Sequence, residues 1–153
     1  MQRHGWTLLF HDALVEQLRR LHVAAQRVER KDPKRSGGNA NVRLFRALSQ
    51  LMLETVPSDP GREEYRLGNS LGSACRHWRR AKIGRRFRLF FRYDSKAKVI
   101  VYAWVNDEET LRSAGSKSDP YIVFAKMLKR GHPPNDWSSL LAASKADEVL
   151  RLP

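Results

Sequence analysis

The spacing of apolar residues changes its period once along this chain, and that change restricts the possible folds more than any other feature. From about His11 to Arg30, Leu14, Leu18, Leu21, Ala25 and Val28 recur at three and four residues, on one face of a helix. Lys31-Asp32-Pro33 ends the pattern, and Ser36-Gly37-Gly38-Asn39 supplies a turn. A second helix is predicted from about Asn41 to Val56, with Val42, Phe45, Leu48, Met52 and Thr55 inward. Two helices joined by a short polar turn make an antiparallel hairpin. Pro57-Ser58-Asp59-Pro60-Gly61 then breaks the helical pattern, and the Gly- and Ser-rich run from Leu67 to Ser73 reads as loop. From Trp78 the period is two. Phe87, Leu89, Phe91 and Tyr93 alternate with Arg86, Arg88, Phe90 and Arg92, as in a half-buried strand.

Strands are accordingly predicted around Trp78 to Ile83, over Phe87 to Tyr93 and over Val99 to Val105, the last two joined by the polar turn Asp94 to Lys98. Asn106-Asp107-Glu108-Glu109 ends the sheet segment and can start a short helical turn. A helix from about Tyr121 to Arg130 follows Pro120 and stops at Gly131, with Pro133 and Pro134 beyond. A weaker helix is predicted from Asp136 to Leu150. The order α-α-β-β-β-α(-α) implies an α+β fold with an antiparallel sheet, and the length fits one domain over residues 1–153.

Charge narrows the partner. Twenty-nine Lys and Arg against sixteen Asp and Glu leave +13 at neutral pH. A polyanion relieves the self-repulsion this causes, and nucleic acid is the leading candidate. A membrane is the weaker reading, because no apolar run approaches the ~18 residues needed to span a bilayer. No signal peptide is visible, and the single Cys75 excludes an intramolecular disulfide and a Cys-based zinc cage. A reducing cytoplasm is the expected compartment, and Cys75 is expected to be an inert thiol.

The positive charge is concentrated. Arg66, Arg76, Arg79, Arg80, Lys82, Arg85, Arg86, Arg88 and Arg92 lie between Tyr65 and Tyr93 without one acid. Period two puts Arg86, Arg88 and Arg92 on one strand face and Trp78, Arg80 and Lys82 on one face of the preceding segment. If the strands pair, the two basic faces converge. Like charges facing each other destabilise pairing unless an anion compensates, and phosphate fits the guanidinium fork. Trp78 and Phe90 are read either as stacking surface for unpaired bases or as core. A second basic group, Lys126, Lys129, Arg130 and His132, closes the Tyr121–Arg130 helix. Of the five histidines, His132 is the best placed for acid–base work, with His77 second. No His and carboxylate set stands at metal-ligand spacing, and no metal or other cofactor is expected. RNA carries its own nucleophile, the 2′-hydroxyl, so Arg, Lys and His suffice to cleave it.

Several segments together resemble a known family. They are Leu71-Gly72-Ser73, Trp78-Arg79-Arg80-Ala81-Lys82-Ile83-Gly84, Phe87-Arg88-Leu89-Phe90-Phe91-Arg92-Tyr93, Trp104-Val105-Asn106-Asp107-Glu108, Thr110-Leu111-Arg112 and Phe124-Ala125-Lys126-Met127-Leu128-Lys129-Arg130-Gly131-His132-Pro133-Pro134. The resemblance, to the YhaV toxins of the RelE/ParE superfamily, runs from about Gly5 to Trp137. It implies a RelE-like fold, two N-terminal helices against a twisted antiparallel sheet with a C-terminal helix. It also implies a ribosome-dependent messenger-RNA interferase held inactive by a PrlF-type (AbrB/SpoVT-like) antitoxin, with operator DNA as a further partner of the toxin–antitoxin complex. By the same resemblance Arg88 takes the phosphate-gripping position, Arg80 and Lys82 stand beside it, and Lys129 and His132 fall where relatives place an acid or base. Tyr121 and Arg112 are alternatives for that proton transfer. Arg79, Arg85, Arg86, Arg92, Arg112, Lys126 and Arg130 complete the expected RNA contacts. The rival functions are a non-catalytic RNA- or ribosome-binding protein and a ParE-like gyrase inhibitor on the same fold.

Overall fold

The structure, a computed structural model, describes residues 1–146. In chain order its elements are β1 (Gln2–Arg3), β2 (Trp6–His11), α1 (Asp12–Lys31) and α2 (Ala40–Gln50). A π turn (Leu51–Thr55) and one last α turn, α3 (Val56–Ser58), extend α2. Then come β3 (Arg79–Ile83), β4 (Phe87–Asp94), β5 (Val99–Val105), α4 (Pro120–Lys129), α5 (Trp137–Ala142) and β6 (Ser144–Lys145). The helical hairpin and the three strands from Arg79 to Val105 stand where the periodicity puts them. The fold is α+β.

Two expectations are corrected. The sheet is mixed rather than antiparallel throughout. Its order is β1-β2-β5-β4-β3, with β6 also on β2, and β2 runs parallel to β5 through Thr7–Val99 to Phe10–Tyr102. Strand β2 escaped the pattern reading because Leu8-Leu9-Phe10 does not alternate. Leu8 and Phe10 enter one core and Leu9 packs against the other, so both faces are apolar, as parallel strands commonly are. The second correction concerns the C-terminus. The helix expected over Asp136–Leu150 ends at Ala142, and Ser144–Lys145 pairs with Phe10–His11 instead. The part of that expectation beyond residue 146 lies outside the described residues.

Each face of the sheet carries its own core. On one face Leu14, Leu18 and Ala25 of α1 and Val42, Phe45, Leu48 and Met52 of the second helix pack on Leu8, Phe10, Leu89, Phe91, Ile100 and Tyr102. On the other, Phe124 and Leu128 of α4 and Leu140 of α5 pack on Trp78, Phe90, Val101, Ala103 and Trp104. Phe124 stacks on Phe90 at 4.3 Å between centroids and lies parallel to Trp104 at 5.8 Å. Trp78 and Phe90 are fully buried, which decides between their two readings in favour of core. The face that carries Arg80, Lys82, Arg88 and Arg92 is therefore not an open basic sheet. Its centre is covered by α4 and its basic residues ring that cover. A β-bulge between Phe90 and Phe91, opposite Ala103, brings Ala103 and Trp104 to the same core.

Candidate active site

The α4 N-terminus meets the β3–β4 pair over its basic rungs. Register sets Lys82 opposite Arg88 and Arg80 opposite Phe90. Tyr121, in the first turn of α4, lies among three arginines. Arg88 Nε donates to the Tyr121 hydroxyl oxygen at 3.2 Å. The Arg112 guanidinium lies 4.9 Å from the Tyr121 ring centroid and that of Arg80 6.0 Å. Arg88 is only 6% exposed. Its Nη1 donates to the Phe87 carbonyl at 2.9 Å. Arg80 Nη1 donates to the Arg66 carbonyl at 2.7 Å, while its Nε is buried and bonds to nothing. A buried guanidinium donor without an acceptor is costly, and an oxyanion arriving in the cluster would relieve it.

One carboxylate serves this cluster. Asp119, 3% exposed, pairs with Arg112 Nη1 and accepts from the Ser113 and Tyr121 backbone N–H groups at 2.7 and 3.3 Å. It is the N-cap of α4, with Pro120 at the first helical position, so the residue that starts the helix also orients Arg112. Buried Asn106 aligns the other side. Its Oδ1 accepts from Arg88 N at 2.6 Å, and its Nδ2 donates to the carbonyls of Arg86 and Thr110, both at 2.8 Å. The β3–β4 hairpin and the segment leading to Arg112 are thereby tied together. Arg112 N also bonds the Arg86 carbonyl at 3.0 Å. A capping box of Asp107 with Thr110 stiffens the same segment.

The remaining sequence candidates fall into three places. Lys82, Arg85 and Arg86 are exposed on the hairpin edge beside the cluster. Arg79 and Arg92 lie at the opposite end of the β3–β4 pair, next to His77 and Trp137. Lys126, Lys129, Arg130 and His132 lie along and beyond α4. At 1.5 Å per residue the helix carries Lys129 ~12 Å along its axis from Tyr121. Gly131, at φ 76°, turns the chain there, and His132 sits edge-on to His11 with ring centroids 4.8 Å apart. The structure thus gathers Arg80, Lys82, Arg88, Arg112 and Tyr121, and places His132 and Lys129 at the other end of α4. Burial, and then the nearby His132, hold His11 below the usual histidine range.

Asn106, Asp119 and Asn135 were not legible as site residues. Asp119-Pro120 ahead of an apolar helix is an N-cap signature, and that signal was available. Asn106 and Asn135 act through side-chain carbonyls that meet partners distant in sequence, for which spacing gives no sign. Among the described residues no group of three or more His, Cys, Asp or Glu is arranged to hold a metal ion, and no helix is long and apolar enough to cross a membrane. Burial pushes the Cys75 thiol up, away from the reactive thiolate.

Comparison with known proteins agrees with the sequence resemblance. Residues 8–145 match the family described as "Toxin with endonuclease activity, of toxin-antitoxin system". The chain is 43% identical over 139 residues to Toxin YhaV of Escherichia coli O6:H1, covering 90% of each chain. It is 42% identical, with the same coverage, to Ribonuclease toxin YhaV of Escherichia coli K12 and to Toxin YhaV of Escherichia coli O157:H7. No solved structure matches. With the match spanning both cores and every residue of the arginine cluster, the chain belongs to the YhaV family of endonuclease toxins of toxin–antitoxin systems.

Proposed function

We propose that this toxin is a ribonuclease that cleaves messenger RNA at the Arg80–Arg88–Arg112–Tyr121 cluster while the message is on the ribosome. The observation that carries this is the cluster itself. Three guanidiniums meet at one tyrosine, a single carboxylate offsets them, and one buried donor, Arg80 Nε, lacks an acceptor. Such a site suits a group that accumulates negative charge, and a phosphorane oxygen during strand cleavage is such a group. In this reading Arg80 and Arg88 grip the scissile phosphate, Lys82 and Arg112 flank it, and Arg85 and Arg86 hold the adjoining backbone. The RNA 2′-hydroxyl oxygen attacks phosphorus, its proton passing to solvent beside exposed Lys82. The 5′-oxygen leaves with a proton from the Tyr121 hydroxyl, and a 2′,3′-cyclic phosphate remains. Tyr121 takes the proton-donor role in preference to His132 or Lys129 because it alone of the three touches an arginine of the cluster. No step calls for a metal, since the one buried carboxylate among the described residues is committed to Arg112 and to capping α4.

A toxin of this family has an antitoxin partner. The proposal assigns it the PrlF type, with operator DNA bound mainly through the antitoxin, and places the toxin in the cytoplasm. The test is brief induction of wild type and of Arg80→Ala, with messenger-RNA 5′ ends mapped in the first minutes. New ends in frame within translated regions, lost in the variant, are expected. Loss of one such donor costs about 2–4 kcal/mol of transition-state stabilisation, roughly 30- to 1,000-fold in rate. Growth arrest with intact messages would instead point to passive ribosome binding or to gyrase inhibition.

A further inference from the structure

A second cleft lies on the β3–β4 pair at the end away from Tyr121. It encloses about 370 Å³ and is lined by His77, Arg79, Arg92, Tyr93, Asp94, Ser95 and Trp137. That volume is within the ~300–1,000 Å³ of small-ligand sites. Asn135 organises it. Its Oδ1 accepts the indole N–H of Trp78 at 2.8 Å, and its backbone carbonyl accepts Arg92 Nη1 at 2.6 Å. Arg92 is held between two indoles, 5.7 Å from the Trp78 centroid and 5.1 Å from that of Trp137. Arg79 lies 5.7 Å from the Tyr93 ring. Among the described residues neither arginine has a carboxylate oxygen within salt-bridge distance. Asp94 is occupied by the backbone of Lys96 and Ala97, and Asp136 caps α5 through Ser139.

The hydrogen bonds also fix which nitrogen of His77 carries the proton. Trp78 Nε1 can only donate, so Asn135 Oδ1 is an acceptor, and His77 Nε2, 2.9 Å away, donates to it as well. Nδ1 is then the acceptor of the neutral ring. Burial and the neighbouring Arg92 both favour that neutral form. The cleft thus combines two guanidiniums that make no direct salt bridge, a half-buried indole and one imidazole acceptor, with Asp136 near enough to favour the charged form of Arg92 without touching it.

We propose that this cleft is a base-selecting subsite of the endonuclease, in which Arg79 and Arg92 hold a phosphate, Trp137 stacks a base and His77 Nδ1 accepts from that base's exocyclic amino group. This rests on the ribonuclease reading above and adds to it the origin of cleavage-site preference. Arg92 is four residues from Arg88 on the same strand face, ~13 Å along β4. Phe90 between them is buried under Phe124 of α4, so a single strand with its scissile phosphate at Arg88 reaches the cleft by passing around α4 along the ring of cations. Stacking with cationic phosphate contacts is how unpaired strands are generally held, and one directed acceptor adds selectivity. Adenine and cytosine offer an amino group on their pairing edge; uracil has none.

The test uses the full chain and uncleavable 2′-O-methyl oligonucleotides of adenine or of uracil, read by tryptophan fluorescence. Trp6, Trp78 and Trp104 are buried, so Trp137 is the reporter. The adenine oligomer is expected to quench wild type and to bind roughly fivefold more tightly than the uracil oligomer, the worth of one such hydrogen bond. Trp137→Phe should lose the quench, and His77→Ala, folded by circular dichroism, should bind both oligomers equally. Arg80→Ala, outside the cleft, should retain the discrimination. Equal binding of both oligomers by wild type, or discrimination surviving in His77→Ala, would overturn the subsite even if Arg80→Ala abolishes cleavage. Discrimination by wild type beside full cleavage by Arg80→Ala would uphold the subsite and remove the arginine-cluster assignment. Quenching by polyglutamate and by neither oligonucleotide would give the cleft to an acidic protein partner, and the proposal would fall.

Discussion

Replacing Asp119 tests how the start of α4 is coupled to the arginine cluster. Asp119→Ala removes three things together. Loss of an N-cap side chain costs about 1 kcal/mol, within a range of about 0.5–2. The Ser113 N–H, 2.7 Å from the carboxylate, loses a charged acceptor, which costs about 1.5–3 kcal/mol. Arg112 loses its partner, but it is 33% exposed and rehydrates, so this adds less than about 1 kcal/mol. These effects share one side chain and are not additive, so the expected loss is about 2–4 kcal/mol. Asp119→Asn keeps an acceptor oxygen and a side chain that caps about as well, so it should lose only about 1 kcal/mol. Urea unfolding followed by far-ultraviolet circular dichroism reads both directly. In thermal unfolding the Ala variant should melt on the order of 10 °C lower. Cleavage should fall in both, because Arg112 loses its anchor over Tyr121. Ala and Asn variants of equal stability, or an Ala variant within 0.5 kcal/mol of wild type (roughly the scatter of surface substitutions), would refute the coupling.

Three further predictions follow from single contacts. His11 caps α1 by accepting from Ala13 N at Nδ1, and its pKa is depressed by burial and by His132. The unfolded chain therefore binds the proton more readily, so stability is full above the ordinary histidine value of about 6.5 and is lost as pH falls through the lower folded value. His11→Asn keeps a cap without titrating and should flatten stability from its own site between pH 7.5 and pH 5 (a window bracketing the usual histidine range), as measured by urea unfolding. The Tyr102 hydroxyl donates to the Met52 carbonyl at 2.7 Å inside the core. The residue five on from Met52 is Pro57, which has no N–H to offer a π turn, so Tyr102→Phe leaves that carbonyl unpaired and should cost about 1–3 kcal/mol in the same assay. Arg85 and Arg86, exposed on the hairpin edge, should each contribute about 0.7 to the slope of log affinity against log salt for single-stranded RNA. An unchanged slope on replacing both with Ala would show that they do not face the phosphates.

The helical hairpin, the three consecutive strands from Arg79 to Val105, the helix after Pro120 and the identity of the principal basic residues are legible in the amino-acid order alone. These follow from local periodicity, helix punctuation and uneven charge, all of which act between residues near in the chain. The rest emerges when the elements pack. Strand β2 lacks alternation because both its faces are covered, so its parallel pairing with β5 has no local signature. The same double coverage turned an expected open basic face into a ring of cations around the α4 core, burying Trp78, Phe90 and Arg88. His132 and Lys129, similar in charge and neighbourhood to the other candidates, were separated from Arg80 and Arg88 by the length of α4. Tyr121 was brought to them by the cap at Asp119. Period and composition specify which face a side chain occupies, whereas the element that packs on that face is chosen by burial summed over the whole chain.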